Sequence, residues 1–429
     1  SLEKRQRPGA RFHEPGPLRA SGLGRADAAN PPLQCVRRNP TIIGQRKTPP
    51  NMTNPRMKIT DIRSRNLRVV KEMGELEPAW SVGTMSQFRI GGGAFVEIQT
   101  DQGITGIGQA VNPALIPDIR ELLVGKDPFD VEQHDAMMRY YIRGGTGYGG
   151  TAGIDVALWD VIGKAAGQPL YKLWGGGKDR VIPYASMYVL STPEERAEMA
   201  TSLADDGWKA IKLRLHHQTI EEDLRTFEMV QDAVGDRMTV MVDGNQAQSA
   251  GTWQPGIRWD FQRAMDTAMA LDAMGCFWLE EPRPRYAYKE LSLINNAVAM
   301  PLAGGENNVG IHEFVDMLEQ NTYDVLQPEG MVLSGITTLK KIGVLAQAHN
   351  KQIVPHHGGG NIGVIAHMHL IASWPHAPFM ELLNDPPIGA YTNGFSIMGN
   401  HPVVKDGYID LPQSPGLGVE IDPDLILDD

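Results

Sequence analysis

Seven residues able to move protons or hold a cation recur down the second half of the chain: Lys212, Asp243, Glu280, Glu306, Glu329, His356 and Glu381. Each follows a short apolar run, and the successive intervals are 31, 37, 26, 23, 27 and 25 residues. One strand with its returning helix takes about 30 residues. A chain alternating the two in a closed sheet would gather all seven at one mouth. Three of them, Asp243, Glu280 and Glu306, come from consecutive runs (VMVDGN, WLEEP, AGGEN). Clustered carboxylates repel one another and are driven to take up protons. A hard divalent cation such as Mg²⁺ relieves that repulsion through oxygen ligands. A single carboxylate at a strand end is more often a helix cap or a salt-bridge partner, but three in register outweigh that reading.

Glu329 and His356 close adjacent runs, and a carboxylate beside an imidazole is the usual arrangement for a general base. His357 competes for that role, because a strand would send the two rings opposite ways, and Glu281 beside Glu280 competes as a metal ligand. In IKLRLHH (211–217), Ile211, Leu213 and Leu215 fall on one side of a strand and Lys212, Arg214 and His216 on the other. Arginine stays protonated at ordinary pH, so Arg214 holds charge and is a poor proton acceptor.

The elements that must position these groups follow. From about 181, the runs VIPYASM, AIKLRL, TVMVDGN, FWLEEP, PLAGGEN, DVLQPEG, QIVPHHG and FMELLN alternate with helical segments such as PEERAEMATSLADDG, IEEDLRTFEMVQDAVG and TTLKKIGVLAQAHN. Eight such runs predict an α/β fold with a (β/α)₈ TIM barrel over 179–395. Residues 57–178 predict an α+β capping domain: MKITDIRSRNLRVV as a strand, AFVEIQTDQGITGIGQA as a hairpin turning at Asp101-Gln102-Gly103, then helices from about 113 to 175. The tail, 396–429, reads as a return to that cap.

Composition narrows the class. The chain has 429 residues, 41% hydrophobic and 21% charged, within the ordinary range for a globular protein. Its net charge of −11 divides into +8 over residues 1–56 and −19 over the rest, and an acidic body argues against nucleic acid as a partner. The basic head holds nine prolines and little apolar periodicity, so it reads as a disordered or non-native extension, with a targeting segment or polyanion-binding arm as alternatives. Two cysteines, Cys35 and Cys276, cannot build a disulfide framework, which fits a reducing cytoplasm. No apolar run reaches the roughly 20 residues of a membrane span, so no membrane partner is expected.

Together with IDVALWDVIGKAAGQPLYKLWGG (154–176), the stretches Lys212-x-Arg214, VDGNQ, EEP, GEN, QPE, PHH and Glu381 resemble the enolase superfamily, in its mandelate racemase-like subgroup. The resemblance runs from about 57 to the C terminus. It implies a barrel with a capping domain and abstraction of the proton α to a carboxylate, giving a metal-stabilised enediolate; a Lys or His base with Mg²⁺ is the general pattern of such sites. It assigns Asp243, Glu280 and Glu306 to one Mg²⁺ per subunit, His356 with Glu329 to the base dyad, and Glu381 to the acid that hydrogen-bonds the substrate carboxylate. Lys212 and Arg214 join the catalytic set, and His216, Asn245, Arg283 and His357 the substrate contacts, with the loop 77–89 and Arg285 shaping specificity. Two positions depart from the family pattern: Glu329 stands where Asp is usual, and Arg214 where many members carry a second lysine base. Without that base, two-base racemisation is disfavoured and one-base dehydration of a sugar acid to a 2-keto-3-deoxy acid is expected. A racemase, epimerase or cycloisomerase is the alternative, and a non-catalytic sugar-acid binding protein a lesser one. The resemblance also suggests a homo-oligomer, from dimer to octamer. Outside it, His357-Gly358-Gly359-Gly360 mimics an esterase oxyanion motif, but no Gly-x-Ser-x-Gly elbow accompanies it. Gly145-Thr146-Gly147-Tyr148-Gly149-Gly150 fits a dinucleotide fingerprint only formally, since no strand precedes it.

Overall fold

The computed structural model describes residues 56–142, 150–357 and 361–427. The expectations for the basic head (Arg56 apart), for Cys35, and for the two glycine-rich stretches beyond their described ends at His357 and Gly150 fall outside these residues. No helix among the described residues is long and apolar enough to cross a membrane.

The first strands are β1 (Ile59–Asn66), β2 (Val69–Leu76), β3 (Ser86–Gly91), β4 (Ala94–Thr100) and β5 (Thr105–Gln109). β1, β4 and β5 form an antiparallel sheet whose β4–β5 turn falls at the expected Asp101–Gly103. The single strand expected over 57–70 is two. Leu67 leaves the ladder to bury itself and bridge Ile426 of the tail, and the chain then begins a separate β2–β3 pair. Part of the loop expected over 77–89 is therefore strand. Three helices follow: α1 (Ile116–Leu123), α2 (Val131–Tyr141) and α3 (Ala152–Ala165). α3 lies directly on β5 because both surfaces are glycine at the contact. A Cβ on Gly108 would sit 1.9 Å from the Gly153 carbonyl oxygen, and one on Gly106 would sit 2.2 Å from that of Ala157. From α3, the buried Asp160 accepts the Ile107 amide (2.9 Å), the Leu417 amide (2.8 Å) and the Lys164 ammonium (2.7 Å). One carboxylate thus joins sheet, helix and C-terminal tail.

After α4 (Leu170–Leu173) and β6 (Arg180–Val181), eight strands build one parallel sheet: β7 (Pro183–Ser186), β8 (Ala210–Arg214), β9 (Thr239–Asp243), β10 (Leu279–Glu280), β11 (Leu302–Gly304), β12 (Val325–Leu326), β13 (Gln352–Ile353) and β14 (Met380–Leu383). The first of them pairs with the last, which curls the sheet into the expected barrel. Its seam, between β13 and β14, is bridged by the Ile353 amide on the His376 carbonyl (3.3 Å) and the Leu383 amide on His357 Nδ1 (2.9 Å). The returning helices are α5 (Pro193–Asp205), α6 (Ile220–Val234), α7 (Phe261–Ala273), α8 (Tyr288–Asn295), α9 (Gly310–Glu319), α10 (Ile336–Ala348) and α11 (Asn361–Ser373); α12 (Tyr391–Phe395) and β15 (Ile409–Asp410), which pairs with β6, lead into the tail.

Inside the barrel, Tyr184, Ala210, Met241, Trp278, Ala303, Val325 and Val354 pack into one apolar cluster, with Phe379 against it. Side chains on a strand return to the same face every second residue. Two residues beyond this floor therefore come Ser186, Lys212, Asp243, Glu280, Gln327, His356 and Glu381. The polar layer stands on the apolar one.

Candidate active site

Asp243 and Glu280 are register partners at the ends of β9 and β10, and Glu306 follows β11 after Gly305, whose φ of +113° favours glycine. One oxygen from each of the three carboxylates lies within 4.8 Å of the others. Lys212 is fully buried among the anions, its Nζ 2.6 Å from Glu280, 2.8 Å from Glu381 and 3.5 Å from Asp243. Burial opposes its charge, but Glu280 and Glu381 outweigh that and hold the ammonium protonated, above the ordinary lysine range. Arg214 is likewise held charged against its burial, chiefly by Asp243. Its guanidinium donates to Asp243 and Asn245 (3.2 Å), to Ser186 Oγ (3.1 Å) and to the Met187 carbonyl (3.0 Å). Arg214 thus grips a carboxylate of the cluster rather than standing free.

Among the described residues, six carboxylates (Asp243, Glu280, Glu281, Glu306, Glu329 and Glu381) and two permanent cations (Lys212 and Arg214) are buried around this mouth. Burial, with Asp243 second, pushes Glu280 well above the ordinary carboxylate range. Glu381 goes the other way: burial would raise it, but Lys212, His356 and Arg214 pull it far below that range. The surplus of anions is the condition a divalent cation relieves, and three converging oxygens suit a hard ion. The residues present fit Mg²⁺. Asn245 and Glu281, just past two of these carboxylates, take positive φ values of 48° and 44°, backbone strain of the kind that gathers at functional sites.

His356 Nε2 lies 3.2 Å from Glu306 Oε2, while its Nδ1 has no hydrogen-bond partner. Glu329, expected to orient that ring, accepts the amides of Met331 and Val332 (2.7 Å each) and acts on His356 only through space. His357 is turned into the seam. Its Nδ1 accepts the Leu383 amide, its own amide donates to Glu381 Oε2 (2.9 Å), and burial lowers its pKa to about 4. Glu281 is fully buried with both carboxylate oxygens unpartnered, and burial, then Glu306, pushes it well up. Among the expected substrate contacts, Asn245 touches Asp243 (3.2 Å) and His216 lines a hollow beside Asn245. Arg283 binds Glu290 (2.6 Å) and the Trp259 carbonyl, and Arg285 the carbonyls of Gln248 (2.6 Å) and Asn307 (2.9 Å), so none of these bonds reaches the carboxylate cluster.

Two participants escaped the reading of residue types. Gln327 donates to Glu280 Oε2 (2.7 Å), and Gln248 to Glu306 Oε1 (3.1 Å). Gln327 carried a usable signal, standing two residues before Glu329 and two after the floor residue Val325. Gln248 lies in a loop beyond β9 and had no periodicity to betray it.

Residues 194–425 match the family described as enolase C-terminal domain-like, and residues 64–175 match the mandelate racemase/muconate lactonizing enzyme N-terminal domain. The arabinonate dehydratase of Saccharolobus solfataricus is 28% identical over 76% of this chain and 87% of its own length. The 3,6-anhydro-alpha-L-galactonate cycloisomerase of Streptomyces coelicolor is 28% identical over 79% and 91%. Among solved structures, the 3,6-anhydro-D-galactonate cycloisomerase of Zobellia galactanivorans superposes with a TM-score of 0.70 at 25% identity, covering 86% of this chain and 100% of that one.

Proposed function

Because the chain belongs to the enolase superfamily, in its mandelate racemase/muconate lactonizing enzyme branch, we propose that it is a Mg²⁺-dependent dehydratase of a sugar acid. The observation that carries this reading is the division of labour between His356 and Arg214. The imidazole turns Nε2 toward the carboxylate cluster, 3.2 Å from Glu306, and the position that could hold a second base is a guanidinium engaged on four sides. Asp243, Glu280 and Glu306 would hold the metal. When bound, Mg²⁺ supplies the positive charge that lets a carboxylate accept a second negative charge.

The remaining steps belong to the chain. Lys212 and Arg214 stay charged and lower the energy of negative charge building on the substrate carboxylate without exchanging protons. His356 Nε2 takes the α proton. The electron pair left on the α carbon then forms the α–β double bond as the β C–O bond breaks. The departing hydroxyl takes the proton from His356 and leaves as water, and the resulting enol ketonises to a 2-keto-3-deoxy acid. The partner in this reading is a small carboxylate, with neither nucleic acid nor membrane. The names of the relatives support both this chemistry and a cycloisomerase, which shares the proton abstraction but releases no water from an open-chain acid.

Reaction in D₂O separates the possibilities. Dehydration through one base gives a keto acid carrying one deuterium at C3 and leaves the α hydrogen of unreacted substrate unexchanged. Deuterium at the α carbon of both stereoisomers, seen by NMR without keto acid, would establish a racemase instead.

A further inference from the structure

Two adjoining hollows lie against the 77–89 segment, sharing Trp80, Val82, Gln254, Pro255 and Gly256. The smaller one is lined by Asn245, whose amide donates to Asp243 (2.7 Å), which sets it beside the carboxylate cluster. The larger one, about 840 Å³, is lined by Gln248, the donor to Glu306. That is room for a ligand well beyond its reacting carboxylate. Their walls are indole, amide, hydroxyl and aliphatic groups, and no lysine, arginine, aspartate or glutamate lines either hollow among the described residues. Trp253 leaves 72% of its surface exposed there, and Trp80 rests on the Tyr188 ring at 5.4 Å. Indole faces and short hydroxyl side chains suit the C–H faces and hydroxyls of a polyol.

The cations around the cleft are engaged elsewhere. Arg214, 5.7 Å below the Trp80 ring, grips Asp243. Arg258 and Arg285 donate to backbone carbonyls of the 248–252 stretch, at Gly251 (2.5 Å) and Gln248 (2.6 Å). His216, the one titratable side chain on the walls of the two hollows among the described residues, is kept neutral at physiological pH because burial, then His217 and Arg196, lower its pKa to about 4. Glu77 adds a negative charge at the loop, its carboxylate accepting the Gly83 amide (2.6 Å). A carboxylate placed there would gain no counterion from the described walls, whereas hydroxyls would find amide and hydroxyl partners.

We propose that the end of the substrate remote from the metal is uncharged: the enzyme takes sugar acids with a single carboxylate (aldonates) and rejects the matching dicarboxylates (aldarates). This rests on the sugar-acid reading above and narrows it to one substrate class.

The test compares configurational pairs, such as gluconate with glucarate, by titration calorimetry on the Mg²⁺-loaded His356→Asn protein, which would hold substrate without consuming it. In parallel, keto acid release is measured on the unmodified enzyme. The aldonate that binds should do so at least about 10-fold more tightly than its aldarate, the scale of one missing charge-assisted contact. Thr84→Arg, at an exposed wall position, should raise aldarate affinity about 10-fold and leave aldonate affinity within about 3-fold. Equal or tighter binding of aldarates by the His356→Asn protein, or no binding of either class, would overturn the proposal. Aldonate-selective binding with no keto acid from the unmodified enzyme would leave it standing and remove the dehydratase reading instead.

Discussion

Arg214 occupies the place where a second proton carrier would have to stand, and its surroundings explain why it is not one. Asp243, Asn245, Ser186 and the Met187 carbonyl together engage its donors, so it stabilises a carboxylate of the cluster and contributes charge. In the proposed dehydration the proton transfer then rests on His356. Its replacement by Asn should lower turnover by at least about 10³-fold, the contribution typical of a general base, while circular dichroism and Mg²⁺ affinity stay unchanged. Activity within tenfold of the unmodified enzyme would remove His356 from that role. Residue types were enough to find the carboxylates and Lys212, because their identities alone make a metal and a charged wall plausible. Where each side chain turns was not legible. Alternation along a strand was the rule used to separate His356 from His357, yet β13 ends at Ile353 and both rings lie beyond it. Their directions come from the loop: His357 turns to the Leu383 amide and His356 to Glu306. Arg283, plausible from sequence as a substrate contact, has Glu290 within reach across its own loop.

At the scale of elements, the barrel strands were legible because short β-branched and aromatic runs recur between amphipathic helices, and their period of two sets floor and polar layer together. The helix α11 was not, since ten of its residues from Ile362 to Ile371 are all buried and it offers no polar stripe. That burial includes His369, whose Nδ1 accepts the Tyr171 amide (3.3 Å) and whose Nε2 donates to the Leu417 carbonyl (3.0 Å). The ring therefore ties α11 to α4 and the tail only while neutral, and burial lowers its pKa from 6.5 to about 4. A depressed folded-state value stabilises above the unfolded pKa and is lost as pH falls toward the folded one. Stability should accordingly drop between pH 6.5 and 4. In His369→Gln, the slope of unfolding free energy against pH, from urea titrations in that window, should be smaller by up to about 1.4 kcal/mol per pH unit. An unchanged slope would show that the ring is not held neutral.

At the scale of the whole molecule, the described residues bury more carboxylates than permanent cations at the barrel mouth. The alternating order of the chain disclosed the barrel and the cap, but not how many carboxylates the mouth would enclose, because burial of Glu281 and Glu329 depends on loops that carry no periodicity. Among the described residues, six buried carboxylates against two cations fit a site that could hold a metal better than a balanced salt-bridge network. The central claim is that this arrangement performs metal-dependent loss of water from a sugar acid. The direct measurement is release of 2-keto acid from a panel of aldonates before chelation with EDTA, after it, and after restoring Mg²⁺. Keto acid should form, vanish on chelation and return with the metal; keto acid undiminished by chelation, or none from any member of the panel, would contradict it.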